Sequence, residues 1–181
     1  MKMSRLVSIL LALTFFGFSD DIQILEERIK NQAELNNTEI SSVEIKKTAL
    51  YLNTWSKKDF YEDAIDGFLE EDKLDFPKEI EVLFTGSSSI RFWNSLEDDM
   101  QPLKVLNRGF GGAHIAHVNH HFEDVIQRYS PKAIVFFCGT NDLTALKTPE
   151  ETIQDFEILK EKVHQALPGV HLFVIGIKPS P

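Results

Sequence analysis

The feature that most constrains this chain is the alternation, from Ile80 onward, of short apolar runs with longer segments of helical periodicity. The runs are Ile80 to Thr85, Leu103 to Leu106, Ala133 to Cys138 and Val170 to Ile177, each bounded by Gly, Asn or Pro and too short for a helix. Between them lie Ile90 to Met100, Ala113 to Tyr129 and Pro149 to Leu167. The last opens on a capping box, Thr148-Pro149-Glu150-Glu151, and closes at Pro168-Gly169. Strands that are apolar along their whole length must be covered on both faces. The expected fold class is therefore α/β, a three-layer sandwich with a parallel sheet. In such sheets ligands sit beyond the carboxyl ends of the strands, so the residues just after each run matter most.

Upstream of the sheet the chain changes character. Residues 20 to 56 are rich in Glu, Asn, Ser and Lys, hold no Gly or Pro, and read as an exposed helical or partly disordered acidic spacer. Phe60, Tyr61, Ala64, Ile65, Phe68 and Leu69 then recur at helical spacing, which predicts an amphipathic helix over Lys58 to Glu70. Glu71 to Glu79, with Pro77, is the expected link to the first strand. Met1 to Asp21 reads as an export signal: Lys2 and Arg5 form a charged start, Leu6 to Phe18 is an apolar run of 13 residues, and Gly17-Phe18-Ser19 offers a small-x-small cleavage site. An uncleaved anchor is the alternative, although the run is short for a stable membrane span. The expected organisation is a signal peptide at 1–19, the spacer at 20–56 and the sheet domain at 57–181, in a periplasmic or secreted protein.

The formal charge of −9 looks informative until it is located along the chain. Between Asp20 and Glu81 there are 17 Asp and Glu against 8 Lys and Arg, so the remainder is neutral. The acidity belongs to the N-terminal region, and with no basic stripe there is no footprint for nucleic acid. The single cysteine, Cys138, lies inside an apolar run and is expected to be a buried, inert thiol.

Three strand ends carry unusual residues: Gly86-Ser87-Ser88-Ser89, Asn107-Arg108-Gly109-Phe110-Gly111-Gly112, and Gly139-Thr140-Asn141-Asp142. Singly, each reads as a turn, a flexible connection or a helix-capping bend. Together they fall on one rim of one sheet, where their chemistry suits acyl transfer. A serine at a strand-to-helix turn points its hydroxyl out of the sheet while its own N–H helps hold negative charge. A tetrahedral intermediate needs further donors aimed at the developing oxyanion. Gly112 can bring a bare backbone N–H close, and Asn141 adds a neutral amide.

The blocks Phe84-Thr85-Gly86-Ser87-Ser88-Ser89-Ile90-Arg91-Phe92-Trp93, Asn107-Arg108-Gly109-Phe110-Gly111-Gly112 and Gly139-Thr140-Asn141-Asp142 resemble the SGNH (GDSL-type) hydrolase family, in the branch that writes its first block G-S-S-S-I. The likeness runs from about Asp59 to Pro181. It implies an SGNH/flavodoxin-like sandwich and a cofactor-free serine esterase acting on a small acyl or acetyl ester, with small-molecule or carbohydrate ester substrates. It places the nucleophile on Ser88, the glycine donor on Gly112 and the asparagine donor on Asn141. Ser87 stands where G-D-S has aspartate, and Ser89 lies one residue further into the helix. The family's fourth block, D-x-x-H, supplies the base and the acid that orients it, and no D-x-x-H occurs here. Either the sequence is a fragment that lacks a C-terminal strand and helix, or it is a non-catalytic relic. The fragment reading is preferred because the fourth run would otherwise be an uncovered sheet edge.

Other residues invite attention. His114, His117 and His121 share an arc of a helical wheel opposite Ile115, Val118, Phe122 and Val125, with His120 beside them. Zinc would want a fourth ligand, and none is evident, so a solvated polar face is expected and no metal. Arg108 lies near the rim, either touching substrate or forming a surface salt bridge. Phe92 and Trp93 are expected to pack the helix after Ser88. His164 and His171 suit surface or core roles. Two rivals to the esterase remain: a flavodoxin-like phosphate-binding module using the Gly86 to Ser89 loop, which leaves Asn141 without a role, and a non-catalytic exported binding protein.

Overall fold

A computed structural model describes residues 21–177. The expected export signal lies outside them, as do residues 178–181. The chain divides into two units, with the boundary between Lys57 and Lys58.

In the first unit the polar stretch is largely helical. Residues 21–35 form α1 and Ser42–Trp55 form α2. Ser41 starts α2 by a reciprocal cap, its hydroxyl accepting from the Glu44 N–H at 3.2 Å while the Glu44 carboxylate accepts from the Ser41 N–H at 3.0 Å. The hydrogen bonds from the Ser41 side chain and backbone hold Glu44 below its ordinary carboxylate value. Among the described residues of this unit only Ile29, Ile45, Ala49 and Leu52 are buried, which suits so polar a sequence.

The second unit opens with α3, Glu62–Leu74. It begins and ends four residues later than the apolar periodicity suggests, because the last apolar residue of the pattern, Leu69, is followed by a polar final turn that periodicity cannot register. Glu62 and Asp63 in its first turn and Lys73 in its last complement the helix dipole. Four strands follow: β1 Val82–Gly86, β2 Val105–Gly109, β3 Ala133–Phe137 and β4 His171–Val174. They pair in the order β2-β1-β3-β4, every pair parallel. The two segments expected as single helices after β1 and β2 are broken instead. The first gives α4, Ser88–Arg91, and α5, Leu96–Asp99, separated at Asn94-Ser95. The second gives α6, Ile115–His120, α7, Phe122–Val125, and a 3₁₀ turn, Gln127–Tyr129. After β3 come α8, Thr140–Thr144, and the long α9, Pro149–Ala166, with the expected Thr148 and Glu151 capping box in place.

The sheet has a helical layer on each face. Leu83, Ile134 and Phe136 point into a core shared with Ile65 of α3, Val118 of α6, Val125 of α7 and Leu159 and Val163 of α9. On the opposite face Phe84 and Val105 pack with Ile90 of α4 and Leu96 of α5, joined by Trp93. This second layer stops short of β4, whose Phe173 is 58% exposed. Among the described residues β4 is also an edge strand, paired with β3 alone. No described helix is long and apolar enough to cross a membrane.

Candidate active site

The register of the sheet brings the three suspect segments together. Gly86 of β1 stands opposite Gly109 of β2 and Phe137 of β3, so the residues after each strand leave from one rim. Backbone hydrogen bonds stitch that rim: the Ser87 N–H donates to the Phe137 carbonyl at 3.0 Å and the Phe110 N–H to the Gly86 carbonyl at 3.1 Å. Gly86 has a φ of +127°, and a Cβ there would lie 2.1 Å from the Phe137 carbonyl oxygen. The turn that presents the serines can be made only by glycine.

Ser88 is the first residue of α4 and half-buried, whereas Ser87 is buried and Ser89 exposed. Gly112, with a φ of +71°, follows β2 by three residues and is half-buried. Asn141 lies in the first turn of α8 and is half-buried too. Its Nδ2 donates to the carbonyl of Ala113, the neighbour of Gly112, at 3.0 Å. That bond fixes which way the amide faces and leaves its second N–H for another acceptor. The Cys138 thiol donates to the same carbonyl at 3.1 Å, and burial pushes it well above the ordinary thiol value, as an inert thiol requires.

Residues that sequence reasoning missed hold these three in place. Both carboxylate oxygens of the fully buried Asp142 accept from the Ile115 N–H, at 3.1 and 3.3 Å, gripping the start of α6. Lys147 reaches Asp142 at 3.1 Å and Asp155 at 2.5 Å, bridging the two carboxylates. Burial opposes the Lys147 charge, but the Asp155 hydrogen bond and the Asp142 charge outweigh it and raise its pKa. Asn107 donates from Nδ2 to the Ile90 carbonyl at 2.7 Å and accepts at Oδ1 from the Gly109 N–H at 2.9 Å. Arg91 lies over the next glycines, its Nη1 2.8 Å from where a Cβ on Gly111 would stand. A polar residue directly after an apolar run, as at Asn107, and an acid three residues after a glycine at a strand end, as at Asp142, are the available signals.

Three expectations are corrected. The main salt bridge of Arg108 is buried rather than on the surface: the residue is 6% exposed and its Nη2 pairs with Asp72 of α3 at 2.6 Å, with the exposed Glu71 more distant at 3.8 Å. Its Nε donates to the Tyr129 hydroxyl at 2.8 Å, which donates to Asp72 at 2.7 Å. Burial pushes Tyr129 up to about 12, so that donor stays protonated. The histidine arc is not solvated. His114, His117 and His121 are buried, and only His120 is exposed, because α6 is wedged under the sheet core rather than laid along its surface. His117 Nδ1 accepts from the His114 N–H at 2.9 Å, and its ring meets Tyr61 edge-on at 5.0 Å. Burial, aided by the Lys147 charge, lowers His114 to about 4. Phe92 does not pack the helix after Ser88 but is 67% exposed, while Trp93 meets Phe84 edge-on and donates to Asp99 at 2.6 Å. His164 and His171 are both exposed. Among the described residues no group of three His, Cys, Asp or Glu side chains could hold a metal ion.

A groove of about 500 Å³ runs beside the rim, lined by Phe68 and Glu71 of α3, Arg91 and Trp93, and Asn107 and Phe110 among others. Ser88, Gly112 and Asn141 are not in its lining.

A parallel sheet with a serine, a glycine and an asparagine on one rim is the arrangement of an SGNH-type fold. Residues 84–181 match the model of the GDSL-like lipase/acylhydrolase family, more than half of the chain, and the chain belongs to that family. No curated protein sequence is similar enough to count as a relative. Among solved structures, a Streptococcus pneumonia protein described as a candidate platelet activating factor superposes with a TM-score of 0.61 at 19% identity, over 74% of this chain and 61% of that one. A candidate acylhydrolase from Bacteroides fragilis gives 0.51 at 20% identity, over 57% of this chain and 53% of that one. Both likenesses are of fold, and the chain spans about three fifths of the first neighbour and half of the second.

Proposed function

We propose that this chain carries the nucleophile and oxyanion hole of an exported serine esterase that cleaves a small acyl or acetyl ester. The observation that carries the reading is the delivery of Ser88, Gly112 and Asn141 to one rim by three adjacent parallel strands, with the Asn141 amide held beside Gly112 through the Ala113 carbonyl. Family membership and the acylhydrolase fold neighbour support the reaction class. The charged start and apolar run of residues 1–18 support export.

In this reading Ser88 Oγ attacks the ester carbonyl carbon, the carbonyl oxygen becomes an oxyanion, and the N–H groups of Ser88 and Gly112 with the Asn141 amide stabilise it. The proton leaves Ser88 for a histidine base oriented by an acid, and passes from it to the departing alkoxide. Water then hydrolyses the acyl-serine. The sequence contains no D-x-x-H, so the His-Asp pair is proposed to lie outside these 181 residues. A fluorophosphonate probe tests the reading. The full-length protein should label at Ser88 and lose labelling in Ser88→Ala; no labelling where a control esterase labels overturns it. Asn141→Ala should lower turnover about 100- to 1,000-fold, the usual loss for one oxyanion donor, in a steady-state assay.

A further inference from the structure

We propose that Asn107 is a positioning residue that keeps the Ser88 turn in register with the glycine loop at residues 109–112, an inference that rests on the assignment of Ser88 and Gly112 above. The two halves of the rim come from different strands and are covalently remote, yet they touch. A Cβ on Gly109 would stand 2.7 Å from the Arg91 nitrogen and 2.7 Å from the Ile90 Cβ, so α4 sits directly on the start of the loop. Packing this close fixes a distance of approach but not a sliding position. The Asn107 amide supplies the missing restraint. Its Nδ2 donates to the carbonyl of Ile90, two residues beyond Ser88, and its Oδ1 accepts from the N–H of Gly109, three residues before Gly112.

The chemistry of the link is specific to an amide, which offers a donor and an acceptor from one planar group without charge. Aspartate keeps the acceptor for Gly109 but turns a carboxylate oxygen toward the Ile90 carbonyl. Alanine loses both bonds. The link also adds a side-chain donor to the Ile90 carbonyl, which already accepts from the Trp93 N–H at 3.0 Å, at the end of a four-residue helix too short to stabilise itself. An oxyanion donor works only within a few tenths of an ångström of its productive place, so the link acts on the reaction through Ser88 and Gly112 without touching substrate.

The test compares wild type, Asn107→Ala, Asn107→Asp and Ser88→Ala in the full-length protein, with p-nitrophenyl acetate as substrate and thermal melts to fix the folded fraction. Both Asn107 variants should lose about 10- to 100-fold in kcat per folded molecule with KM within about twofold, the signature of a lost transition-state interaction. Amide hydrogen exchange at Gly109 should accelerate in Asn107→Ala and stay slow in Asn107→Asp. Turnover that does not depend on Ser88 overturns the underlying reading and this inference with it. Ser88-dependent turnover that both Asn107 variants retain, or that falls only as the folded fraction falls, overturns the inference alone.

Discussion

At Gly86 the demand on the residue is geometric. With φ at +127° and the Cβ position 2.1 Å from a backbone oxygen, Gly86→Ala combines an unfavourable backbone region with a clash that no side-chain movement relieves. The expected cost is about 3 to 5 kcal/mol, read from urea unfolding. At His114 the demand is electrostatic. The folded chain holds the ring neutral down to about pH 4, while the unfolded chain takes up a proton near 6.5. Its contribution is therefore intact above pH 6.5 and lost as pH falls toward 4, amounting to about 3 kcal/mol below that window. Burial lowers His121 as well, which adds in the same direction. Unfolding midpoints measured between pH 7 and pH 4 should fall, and His114→Gln should flatten the decline. Glycines of this kind were legible in the sequence, because punctuation after an apolar run states where a strand stops. The buried state of the histidines was not. A helical wheel separates two arcs, but it cannot say that both will be covered when α6 is six residues long and enclosed.

Between elements, the Asp72, Arg108 and Tyr129 cluster ties α3 to β2 and to the 3₁₀ turn. Asp72→Ala would leave the Arg108 guanidinium buried without its carboxylate, a change worth about 3 to 5 kcal/mol on chemical denaturation. Asn107 and Asp142 are the corresponding ties at the rim. Their partners show why such links escape a sequence reading. Asp72 pairs across 36 residues and lies in a polar stretch that reads as a connecting link, so nothing local marks it as the mate of Arg108. By contrast, the strand-helix order, the parallel sheet and the α9 cap follow from local periodicity and local hydrogen bonds, and they stand where the sequence puts them. The breaks at Asn94-Ser95 and at His121 did not register because the apolar spacing runs on across them.

On the scale of the whole molecule, the described sheet ends on one side at β4, with Phe173 58% and Val174 52% exposed along an unpaired edge. Such an edge invites pairing between copies, and lysine is a residue that blunts it. Phe173→Lys in this 181-residue chain should reduce concentration-dependent light scattering while shifting unfolding free energy by no more than about 0.5 kcal/mol. At the other end of β3, Cys138 is the one thiol in the chain, enclosed and far from ionised at neutral pH. An alkylating reagent cannot reach it until the strand end and the Ala113 carbonyl part. The protein thus carries its own stopwatch: the native alkylation rate of this one thiol reports the opening of the rim, with no substrate and no engineered probe site.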